Sequence, residues 1–167
     1  MRLPLAIAAF AALALPASAQ MITLSPDQVG QIFCIGSVGN DMSPVEAALL
    51  TPDLQKAIAA AWAKSDAYEK ANPGDMPPLG DGVPWRTAPD YADGCTVGAV
   101  AITGDTATVP LNYTFKDYPD ANYTDTLDLR KVVVETGFDP YWRIDNIEYA
   151  EKPGTLTQAL ISLTATQ

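Results

Sequence analysis

The chain has 167 residues, 20 of them acidic against 10 basic, with no histidine and a formal net charge of −10. That length suits one domain with a real core, and the charge argues against nucleic acid or an anionic membrane surface as a partner. Without histidine, serine–histidine triads, H-E-x-x-H zinc sites and histidine general bases are excluded.

The first 19 residues read as a secretory signal. Arg2 is a short positive n-region, Leu5 to Leu15 an apolar h-region, Pro16 breaks it, and Ala17-Ser18-Ala19 fits a cleavage site. The apolar run falls short of the roughly 20 residues that span a bilayer. The expectation is one α+β domain over residues 20–167, periplasmic or secreted, with no membrane attachment after cleavage. Losing Arg2 takes the net charge from −10 to −11, which favours solubility and would attract a basic protein partner. In an oxidising compartment a disulfide between the two cysteines, Cys34 and Cys95, is the default. It would close about 60 residues and contribute roughly 4 kcal/mol in the chain-entropy model. Two separate buried thiols, or a reactive thiol, are the alternatives.

The first half is predicted helical. Ser25-Pro26, Ser43-Pro44 and Thr51-Pro52 each pair a capping hydroxyl with proline at the first helical position. Ser25 with Gln28, and Ser43 with Glu46, complete capping boxes. The first helix is expected from Pro26 to about Val38, a short one over Pro44 to Leu50, and the longest over Pro52 to Ala71. In the last, Leu54, Ile58, Ala61, Trp62 and Ser65 recur at three- and four-residue steps and make one buried stripe. Trp62 could serve as a ligand platform, but its place on that stripe assigns it to the core.

From Asn72 to Gly94 prolines, glycines and aspartates alternate, and neither helix nor strand fits. A loop this long is functional or mobile. It holds Asp81, Trp85, Arg86, Asp90 and Asp93, the candidate binding residues: Trp and Arg are enriched at interface hot spots, and aspartates steer a basic partner. Trp85 alternatively folds back to plug the core. Asp75, Asp81, Asp90 and Asp93 lack EF-hand spacing and read as solvated rather than as a calcium site; no metal and no cofactor are expected.

Strands follow. Cys95 to Ile102 is the first, with a turn at Thr103-Gly104-Asp105. Thr106 to Phe115 is the second, with Ala107, Val109, Leu111, Tyr113 and Phe115 on one face. Pro110 argues for an edge position or a bulge. The third, Tyr123 to Thr136, slips parity between Leu129 and Val132, which suggests a bulge near Arg130. After Gly137-Phe138-Asp139 comes the last, where Ile147 breaks the parity of Trp142 and Ile144. Thr155 with Gln158 opens a terminal helix. The sum is N-terminal helices on a strongly curved, four-stranded antiparallel meander, closed by a C-terminal helix.

The final segment, W-R-I-D-N-I followed by T-L-x-x-x-L, together with Asp81-Gly82-Val83-Pro84-Trp85 and Cys95-Thr96-Val97-Gly98, resembles a group of small secreted bacterial proteins of unknown function. The resemblance implies a cone-shaped fold similar to nuclear transport factor 2 and brings no activity or catalytic residue. The leading expectation is a binding or interaction module for a basic protein or a small ligand. The alternative is a small enzyme using a carboxylate in a cone-shaped pocket, with Asp125, Asp145, Tyr113 and Tyr123 on the strands as the available groups. By parity Asp145 faces solvent or pairs with Arg130 or Lys131. An inward carboxylate in a deep apolar cavity would favour the enzyme; an ordered, exposed loop would favour the binder.

Overall fold

A computed structural model of the protein describes residues 23–38, 47–88, 90–133, 140–150 and 154–165. The leader over residues 1–19, the Ser43-Pro44 helix start with Glu46, and the Gly137-Phe138-Asp139 turn lie outside the described residues, as does Pro89. Of the short helix expected over 44–50, the described end places Leu49 and Leu50 in the core.

Helix α1, Pro26–Ser37, starts where Ser25 and proline dictate; the Ser25 amide donates to Gln28 Oε1 at 2.9 Å. Its Val29 and Phe33 are buried, while Ile35 points to solvent. At Gly30 a β-carbon would lie 2.6 Å from Val109 Cγ1, so glycine lets α1 settle directly onto the sheet. Helix α2, Pro52–Ala71, is capped by Thr51, whose hydroxyl accepts from the Leu54 amide at 3.2 Å. Helix α3, Leu156–Ala165, packs on α2 and buries Leu156 and Leu160. Thr155 and Gln158 form the reciprocal capping box expected of them.

The sheet is antiparallel and open, and it has five strands: β1 (Gly94–Val97), β2 (Ala101–Thr103), β3 (Thr106–Thr114), β4 (Tyr123–Val132) and β5 (Tyr141–Glu148). The count exceeds the expected four because the first strand breaks at Gly98. β1 and β2 both pair with β3, on either side of Pro110. Pro110 does not lie on an edge, since β3 is flanked on both sides. Having no amide hydrogen, it faces the gap between β1 and β2, where its carbonyl still accepts from Gly98 at 2.8 Å. The break also blunts an otherwise exposed strand edge.

The inner face is apolar in the predicted parity. Val109, Leu111, Leu127, Ile144 and Ile147 are fully buried, and Tyr113 stacks on Tyr123 at 4.9 Å between centroids. Register shifts between Asp128 and Leu129, which pair with Asn146 and Ile144, so Asp145 of β5 is the extra residue. This bulge restores Ile147 to the core face. It also presents the Asp145 carboxylate to Arg130 Nε at 2.7 Å and to the Thr51 hydroxyl at 3.0 Å. Thr51 donates its amide to the Ile144 carbonyl, and the Ile144 amide donates to Leu49, so the start of α2 is fastened to the outer edge of β5.

Cys34 and Cys95 are disulfide-bonded, with Cα atoms 5.3 Å apart, joining α1 to β1. The bond is consistent with an oxidising compartment. No helix among the described residues is long and apolar enough to cross a membrane.

Candidate functional site

The described residues from 72 to 93 form no helix or strand, and Gly94 opens β1, yet the stretch is tied down along its length. Leu79 is buried, and its amide donates to Ser65 Oγ of α2 at 3.1 Å. Gly82, at φ +86°, turns the chain back towards α2, a conformation that favours glycine. The Tyr149 hydroxyl donates to the Pro84 carbonyl, and burial followed by the nearby Asp125 charge raises that phenol, keeping it a donor. The Asp93 carboxylate accepts the Lys116 amide at 2.8 Å.

The strongest tie is Asp125. It lies on the inner face of β4, 1% exposed. Its oxygens accept from the Thr87 amide at 2.9 Å, from the Thr87 hydroxyl, and from the Ala150 amide at 2.9 Å. A buried carboxylate is tolerated when its acceptors are filled this way. Asp125 is therefore an internal clasp between the loop and the end of β5.

Held so, the loop forms one wall of a groove of about 920 Å³ whose other wall is α2. Ile58 and Trp62 line it from α2, Leu50 from the segment just before the helix, and Asp81, Val83 and Trp85 from the loop side. Gln55 also borders it but spends its amide nitrogen on the Ala47 and Leu50 carbonyls. The surface offered to a ligand is thus mainly apolar and aromatic.

Of the five candidates named from sequence, Asp81 and Trp85 line this groove. Trp85 also packs against the core and does both jobs. Arg86 does not line it: its guanidinium donates to the Ser37 carbonyl at the end of α1 and lies over the Tyr91 ring, 5.0 Å from the centroid. Asp93 holds Lys116, and Asp90 is exposed away from the groove lining. The core assignment of Trp62 is corrected. It is 39% exposed, because the buried stripe of α2 narrows to Leu54, Ala61 and Ser65. Ile58 and Trp62, one turn apart beside that stripe, carried a signal for the groove; what sequence could not supply was the loop folding back opposite them.

Among the described residues, no three carboxylates converge as a metal cluster. Comparisons with protein-family models, with curated proteins and with solved structures return no match.

Proposed function

We propose that the protein is a secreted, periplasmic binding module whose ligand seats an apolar group in the groove between α2 and the 80–85 loop. The observation that carries this reading is the pair of indoles, Trp62 and Trp85, lining opposite walls of one groove of ligand-binding size. The signal-like leader, the Cys34–Cys95 bond and the resemblance to small secreted proteins with a cone-shaped fold support the compartment. The enzyme reading has less behind it. The inward carboxylate, Asp125, does not line the groove, and its oxygens are occupied by three donors.

A neutral apolar dye, Nile red, tests the groove. Wild-type protein should bind it with a fluorescence gain. Trp62→Ser, at a side chain 39% exposed and outside the buried stripe of α2, should lose that binding while its melting temperature falls by no more than about 4 °C. Trp85→Ala should lose both binding and stability. Undiminished dye binding in Trp62→Ser would sink the proposal. Retained binding with lost stability in Trp85→Ala would reduce Trp85 to a core residue. Species that wild type retains from a periplasmic extract and Trp62→Ser does not, read by mass spectrometry, would identify the ligand.

A further inference from the structure

The groove does not end at Trp62. Trp62 and Gly80 also border a second recess of about 610 Å³, continuing along α2 between the helix and the start of the loop. Its character is different. Asp66 and Glu69, three residues apart on one face of α2, and Asp75 of the loop line it, with Met76 exposed beside them. Asp81 lines the apolar section. No lysine or arginine lines either section among the described residues. Four carboxylates with no cation among them leave one sign of field along the whole trough. The carboxylates do not converge as a metal-binding cluster; they are divided between two adjoining recesses, which suits several separate cations.

Resting on the groove reading above, we propose that the ligand is a basic peptide segment with an aromatic or large aliphatic anchor. The anchor sits between Trp62 and Trp85, and lysine or arginine side chains from the same segment lie against Asp66, Glu69 and Asp75. Helix rise sets the spacing. Asp66 and Glu69 stand about 6 and 10 Å along α2 from Trp62. An extended peptide covers about 3.4 Å per residue, so the cations fall two and three positions from the anchor. An anionic membrane would be repelled by this lining. A neutral small molecule would use the apolar section alone.

Fluorescence anisotropy of a labelled short peptide, carrying one phenylalanine with lysines two and three positions after it, reads the proposal. That peptide should bind at least about tenfold more tightly than the same peptide with glutamates in place of the lysines, and should weaken as salt rises from ~50 to ~300 mM. The triple variant D66N/E69Q/D75N, altered only at exposed positions, should lose about tenfold for the lysine peptide and bind Nile red as wild type does. A control triple, D90N/D117N/D120N, removes the same charge from exposed sites outside the groove and should lose less than about twofold. Equal affinity for the glutamate peptide overturns the basic-peptide proposal, and so does equal loss in both triples. Either result leaves Nile red binding, and with it the groove, standing. If Trp62→Ser binds Nile red like wild type, the groove reading itself fails.

Discussion

Asp125 and Asp128 are three residues apart on β4, and their environments oppose each other. Asp125 faces the core with three donors on its oxygens, and the cost of burying it is offset by hydrogen bonds that fasten Thr87 and Ala150. Asp128 lies on the opposite face. Partial burial first, then the charges of Glu148 and Asp145, raise its carboxyl above the ordinary value. A raised value in the folded state means that the folded protein holds this proton more tightly than the unfolded chain does. Ionised Asp128 therefore opposes folding at neutral pH, and the opposition fades as pH falls through the folded value towards the unfolded one at about 3.9. Asp128→Asn should accordingly raise the melting temperature at pH 7, with the gain shrinking to nothing in the acid range. Melting curves across pH check this; a gain independent of pH would show that charge is not the cause. Arg130 acts in the other direction. It bridges Asp145 and Asp53 at 2.7 Å each, and its own proton is held more firmly, first by the hydrogen bond to Asp145. Both partners are solvent-accessible, so the bridge contributes no more than about 1 kcal/mol. Its role is to fix where the first turn of α2 meets the bulge of β5.

Helix α3 carries its stabilisation on two residues. Leu156 and Leu160, one turn apart, are buried, while Ile161 is 61% exposed. The first turn is fixed by Asn146 of β5, whose side-chain oxygen accepts both the amide and the hydroxyl of Thr157 at 3.1 Å. Leu156→Ala should destabilise by about 2–5 kcal/mol, the range for a buried leucine leaving a partly collapsed cavity. Ile161→Ala should cost within ~0.5 kcal/mol. Urea unfolding of both variants measures the difference, and equal midpoints would refute this orientation of the helix. The loop of residues 72–88 is an element of the same kind despite lacking regular structure. Leu79 enters the core as a helix residue would, and prolines at 73, 77, 78 and 84 reduce the entropy lost on ordering it. That is how an irregular stretch can serve as the rigid wall of a groove.

At the scale of the molecule, the disulfide and the clasp at Asp125 join segments far apart in sequence. The Cys34–Cys95 bond spans 61 residues and ties α1 to the edge of the sheet. Reducing it, or replacing both cysteines by serine, should destabilise by roughly 4 kcal/mol. Against a total of about 5–15 kcal/mol for a domain, that leaves a marginal protein. Unfolding curves with and without reductant test this; coincident curves would show that the core alone holds α1 in place. The α+β class, the limits of α1 and α2 and the inward parity of β3 were legible in the sequence. Capping hydroxyls with prolines, and strict alternation over Thr106–Phe115, act between neighbours and need no tertiary partner. The slip at Ile147 announced a bulge, but only pairing assigned the extra residue to Asp145, because register belongs to two strands at once. The bulge expected near Arg130 is absent: Leu129 to Val132 pair in unbroken register with Ile144 to Tyr141. The break at Gly98 was hidden for the same reason: the residue that demands it, Pro110, lies on the neighbouring strand. The candidate site divides likewise. Trp85 and Asp81 stood out by type and by loop, whereas Trp62 read as core, and only the fold shows it 39% exposed and lining a groove with a segment some 20 residues later. Arg86 looked like a hot spot and proved to hold the end of α1. Sequence fixes what each residue can do locally; which face of α2 becomes a groove depends on contacts between distant segments, and those form only in the packed fold.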